Sequence, residues 1–147
     1  MVLQVDFYIL HHQHYEQFIC QLTEKIWRQG YRVYIYLDTQ NQAQRLDDKL
    51  WTFKEDVFLP HEMGQQHALT PICLGYPQLH DHCDNSLEVL VNLTDDIPRF
   101  FKQFKRIAEV VEDTPKARQA GRARYLTYKN YLTELKIHDI YPHASQS

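Results

Sequence analysis

Glycine is scarce in this 147-residue chain, with four residues at Gly30, Gly64, Gly75 and Gly121. That excludes long Gly-rich binding loops. The phosphate-binding patterns G-x-x-x-x-G-K-[ST] and G-x-G-x-x-G are both absent. The connection after the first predicted strand, HHQHY (11–15), has no glycine to let a phosphate approach the backbone. No G-x-S-x-G marks a nucleophile elbow. Cysteine is sparse too: Cys20, Cys73 and Cys83 are odd in number and widely spaced, which argues against a disulfide framework and for a reducing compartment. No apolar run approaches the roughly 20 residues of a membrane span. The opening MVLQVDFYIL lacks the basic start of a signal peptide and reads as a strand. The expected setting is cytoplasmic, with no membrane, no cofactor and no catalytic constellation.

The composition is that of an ordinary globular protein, 44% hydrophobic and 24% charged. Strands are predicted at Val2–Leu10 and Tyr31–Leu37, with a helix over Tyr15–Gln29 between them and Gly30 as its stop. Asp38 or Thr39 caps a helix through Leu50. Asp56–His61 reads as a very short strand ended by Pro60, Glu62–Thr70 as a loop, and Pro71–Tyr76 and Ser86–Leu93 as strands. Two C-terminal helices are expected. The first carries Phe100, Phe101, Phe104, Ile107, Ala108 and Val111 at helical spacing; the second starts at Thr114 and Pro115. These elements predict one three-layer α/β/α Rossmann-like domain over 1–137, mainly parallel, with 138–147 as a frayed tail.

Histidine is abundant, with nine residues, but without metal-site spacing. His11, His12 and His14 read as a solvated loop, and His80-Asp81-His82-Cys83 lacks the separated ligand pairs of a structural zinc site. Trp51, Phe53 and Phe58 surround a proline-containing irregular stretch, either as core or as an exposed patch for a protein partner.

The strongest signal is Thr114–Tyr131, TPKARQAGRARYLTYKNY. It has five cations and no acid, in a chain of net charge −3. On a helix, Arg118, Arg122, Tyr125 and Lys129 form one stripe at i, i+4, i+7 and i+11. Ala117, Gly121, Tyr128, Leu132 and Leu135 form another, suited to packing on the sheet. The first stripe is suited to an anion beside something flat and apolar.

The stretches DFYIL, AQRLDDKLWTFKEDVFLPHEM, SLEVLVNLTDDIPRFFKQF and ARQAGRARYLTYK, in this order, resemble the chi subunit family of the bacterial DNA polymerase III holoenzyme. R-L-D-x-x-L-W followed by F-x-P-H, within Arg45–His61, is the most specific match. The resemblance implies a non-catalytic accessory subunit of the clamp-loader assembly. It would bridge the psi subunit to the acidic, phenylalanine-ended tail of single-stranded DNA-binding protein. Some members pair with a repair helicase in place of psi. Arg122 and Tyr125 then match the tail-binding site, with Arg118 and Lys129 beside them and Leu126 where a lysine can stand. Trp51, Phe58, Pro60 and His61 match the psi- or helicase-binding part. Away from the basic stretch, 11 cations face 19 anions, which argues against direct DNA binding. Two rivals remain: a nucleotide- or phosphate-binding enzyme on a Rossmann-like sheet, and a single-strand-binding module stacking bases on Tyr125 and Tyr128.

Overall fold

A computed structural model describes residues 2–56, 58–65, 67, 69–80, 86–131 and 133–142. Seven strands form one parallel sheet in the order β3-β4-β2-β5-β6-β1-β7. They are β1 (Gln4–Leu10), β2 (Val33–Tyr36), β3 (His61–Met63), β4 (Ile72–Gly75), β5 (Val89–Asn92), β6 (Arg106–Val111) and β7 (Glu134–Ile140). Helices α1 (Tyr15–Arg28) and α2 (Gln40–Thr52) pack on one face, and α3 (Pro115–Tyr128) packs on the other. This is the expected three-layer α/β/α arrangement.

Strand alternation builds both cores. Val33, Ile35, Val89, Val91, Ala108 and Val110 face α1 and α2, whereas Tyr34, Leu90, Ile107 and Val111 face α3. The helix starts follow local chemistry. Thr39 and Gln42 form a capping box at α2, worth about 1 kcal/mol. The Thr114 hydroxyl accepts from the Ala117 amide at 3.1 Å, and Pro115 occupies the first turn of α3. Gly30, at φ +90°, ends α1 as only glycine does freely.

Three expectations are corrected. Residues 106–111 are strand β6, so one helix, α3, and not two stands at the C-terminal side. Phe101–Gln103 is a single 3-10 turn, and Phe100 and Phe104 join an aromatic cluster with Tyr34 and Tyr36. A strand buried on both faces has no polar side, and its apolar run mimics a helical face. The short strand before Pro60 lies instead after it, at His61–Met63. Residues 138–140 belong to β7, paired in register with Tyr8–Leu10, so the predicted tail starts too early. Leu135 accordingly leaves the helical stripe for β7, while Leu132 lies outside the described residues.

Candidate functional site

The two faces of α3 differ in kind. Gly121 brings the helix onto β6, since a Cβ there would lie 2.9 Å from Val111 Cγ2. The next position on this face is i+7 from Ala117, which is Arg124. Its Nε donates to Glu109 Oε1 at 2.8 Å, and its Nη1 donates to the Asp95 carbonyl at 2.8 Å. The buried Tyr128 hydroxyl donates to Glu109 Oε2 at 2.7 Å, and Asn92 Nδ2 donates to both Glu109 oxygens. Burial pushes the Glu109 carboxyl upward, against the pull of Arg124, Asn92 and Tyr128. Sequence reasoning counted Arg124 only among the five cations of the stretch and missed this network. The signal was present: Arg124 fills the gap between Gly121 and Tyr128 in the inner stripe, and Glu109 stands on the α3-facing side of β6.

The outer face carries the predicted site. A cavity of about 410 Å³ lies between α3, β1 and β7. Phe7, Ile9, Val111 and Ile137 give it an apolar lining, beside Arg118, Arg122, Tyr125 and Leu126, with one acid, Asp139, at the His11 side. The Tyr125 ring meets Phe7 edge-on at 5.5 Å, and Lys129 Nζ stands 5.7 Å from the Tyr125 ring centre. Lys129 is the C-cap of α3, one residue past the helix. Leu126 is 62% exposed and adds apolar surface beside the cavity.

Arg118 is differently placed. Its Nη2 donates to Asp113 Oδ1 at 2.9 Å and to the Leu10 carbonyl at 3.3 Å, and lies 3.3 Å from His11 Nδ1. The hydrogen bond from the His12 amide and that from Arg118 hold the Asp113 carboxyl below its usual range. His11 Nε2 in turn lies 2.8 Å from Asp139. The acid that neutralises Arg118 lies one residue before the stretch inspected in sequence. Arg122 has no hydrogen-bond or ion-pair partner among the described residues.

The second surface lies at the opposite sheet edge. Trp51 and Phe58 are 46% and 66% exposed, with ring centres 5.3 Å apart. Half-buried Pro60 follows the fully buried Leu59. His61 is buried beneath Trp51 at 4.1 Å, and its Nδ1–H donates to the Leu59 carbonyl at 2.6 Å. Its Nε2 lies 3.3 Å from Asp47 Oδ1. Phe53 packs against the core, so Trp51 and Phe58 are the exposed members of the predicted trio. The edge strands β3 and β7 are six strand spacings of about 4.8 Å apart, about 29 Å across the sheet.

A larger cavity, about 890 Å³, opens at the C-terminal strand ends. Tyr15, Asp38, Asp95 and Glu112 line it together with Arg45, Lys49 and Lys116. Burial, then the charges of Glu112 and Asp38, push the Tyr15 phenol far up. No group of three or more metal-ligating side chains is found among the described residues, and 81–85 lie outside them. No helix of the described residues is long and apolar enough to cross a membrane.

Known proteins fit this architecture. The family model described as "DNA polymerase III chi subunit, HolC" matches residues 2–136. The DNA polymerase III subunit chi of Pseudomonas aeruginosa is 36% identical over 138 residues, covering 92% of this chain and 95% of that one. The subunit of the same name from Escherichia coli K12 is 28% identical over 116 residues, 78% of each. Among solved structures, T4 UvsW superposes with a TM-score of 0.66 at 8% identity, covering 95% of this chain and 41% of that one. Domain 2 of the DEAD-box helicase Mss116p, bound to an RNA duplex, gives 0.61 at 12% identity, with 95% and 65% covered. At such identities the two structures speak for the fold alone. On the family match and the relatives' near-full coverage, the chain belongs to the DNA polymerase III chi subunit family.

Proposed function

We propose that this chain is a non-catalytic, cytoplasmic accessory subunit that bridges the psi subunit to the acidic tail of single-stranded DNA-binding protein. The observation that carries the reading is the outer face of α3. Unpaired Arg122 and Lys129 flank Tyr125 above an apolar cavity built on Phe7. An acidic peptide ending in phenylalanine needs both halves: cations for its carboxylates and an apolar slot for its ring. The Trp51–Phe58 patch, on the far sheet edge, is the docking surface for psi or a repair helicase. Large exposed aromatics are the residues that anchor protein interfaces. The places of the two surfaces toward opposite edges of the sheet leave room for both partners at once.

The bridging is tested with three components. Protein held on immobilised psi should still capture an acidic peptide ending in phenylalanine, and should lose it when that terminal residue is deleted. Mutual exclusion of psi and peptide would contradict the bridge. The cavity at the strand ends favours the second reading, a nucleotide- or phosphate-binding enzyme. Its lining mixes acids with Arg45, Lys49 and Lys116, but the connection HHQHY offers no glycine for a phosphate to approach the backbone, so added ATP should leave the melting temperature unchanged. A rise would support that second reading.

A further inference from the structure

Beside the large cavity, a separate cleft of about 550 Å³ has no place in the reading above. Its walls include Tyr36, His80 and Phe100. The His80 ring stacks on Phe100 at 3.9 Å, and Tyr36 stands perpendicular to Phe100 at 4.9 Å and 89°. The charged lining is Asp38 and Asp96 against one arginine, Arg99. Neither carboxylate has an ion-pair partner among the described residues. Burial and then the charges of Asp95 and Asp96 push the Asp38 carboxyl upward, a repulsion that a cation would relieve. The buried acids Asp6, Glu24 and Glu109 are already matched, by Arg106, Lys54 and Arg124, whereas Asp38 and Asp96 are exposed to solvent.

Perpendicular aromatic faces beside unmatched carboxylates are the chemistry that takes up a cationic side chain. Nucleic acid is disfavoured, because its phosphates would meet Asp38 and Asp96. We propose that this cleft docks an arginine- or lysine-bearing peptide segment of a partner protein, with one cationic side chain laid against Tyr36 and Phe100 beside Asp38 and Asp96. The segment approaches from the C-terminal ends of β2 and β5, away from both surfaces assigned above.

The test is a titration of the isotope-labelled full-length protein with an acetylated, amidated tetra-arginine peptide, followed by amide chemical shifts. The expected shifts cluster at Tyr36, Asp38, Asp96 and Phe100. Tyr36→Leu changes no charge and should weaken binding about fivefold. Asp38→Asn should weaken it by a similar factor, and both variants should bind the acidic tail peptide as wild type does. Asp38 is exposed, so its variant keeps the test valid if Tyr36→Leu does not fold. Shifts spread over the whole surface, with both variants binding as wild type does, would overturn the proposal. So would a single acetyl-arginine amide binding as tightly as the peptide, which would make the cleft a small-cation site.

Discussion

Arg122 and Arg124 stand two residues apart on α3, and the sheet meets only one of them. Arg124 is 5% exposed and locked to Glu109. Arg122 lines an open cavity with no partner of its own. The same side chain holds the helix in place at one position and offers its charge to a ligand at the next. Net charge in a basic stretch is therefore a poor count of what a ligand can reach. Of the five cations between Thr114 and Tyr131, Arg124 is consumed by the core and Arg118 by Asp113.

The sharpest way to break this contrast is to swap the fates of the two arginines. Arg124→Ala leaves the Glu109 carboxylate buried without its cation and should cost about 3–5 kcal/mol of stability. Thermal unfolding reads this, and peptide affinity should fall only as the fold does. Phe58→Ala extends the contrast to the other sheet edge. A side chain 66% exposed contributes little to folding, so the melting temperature should hold. Binding of psi or helicase should weaken by on the order of 2 kcal/mol, and tail-peptide binding should be spared. Unfolding on this substitution would return Phe58 to the core.

The structure also explains what sequence could supply. Helices α1, α2 and α3 were legible because Gly30, Thr39 and Thr114 punctuate them and their apolar faces have the helical period. β6 was not legible. Ile107, Ala108, Val110 and Val111 are buried on both sheet faces, and the preceding phenylalanines extend the run into a false helix. β7 escaped for the opposite reason. It is an edge strand with Lys136, Ile137 and Asp139 exposed, too little buried to show a pattern. Arg118, Arg122 and Tyr125 stand in a row on α3 as the helical period requires, and Lys129 follows just past its end. Which members of this row are free was not read, because Asp113 lies just before the basic stretch and His11 reaches Arg118 only through the fold.

Smaller effects sharpen the same picture. Lys129→Ala, at the helix end, should lower affinity by less than about 1 kcal/mol and act mainly on the association rate, as rapid-mixing kinetics would record. On the far face of the sheet, Glu24 repeats the inner pattern. Burial pushes its carboxyl up, but hydrogen bonds and charges from Lys54 and Arg28 win and hold it below its usual value. Its folded value thus lies below the unfolded one, near 4.3. The stabilisation is present above about pH 4.3 and is lost as the pH falls through the folded value. Glu24→Gln should therefore flatten the acid limb of the stability profile, measured by denaturant midpoints between neutral and acid pH.

The claim that the outer face of α3 binds the acidic tail is tested most directly by calorimetry with an acidic peptide ending in phenylalanine. Wild type and Arg122→Ala are compared at two salt concentrations, with melting temperatures in parallel. The account predicts a loss of about 1.5–3 kcal/mol for the variant at unchanged melting temperature. It also predicts wild-type binding that weakens with salt without vanishing, because burial of the terminal ring is not screened. Equal affinities for the two proteins would contradict it and leave Arg122 as a solvated surface charge.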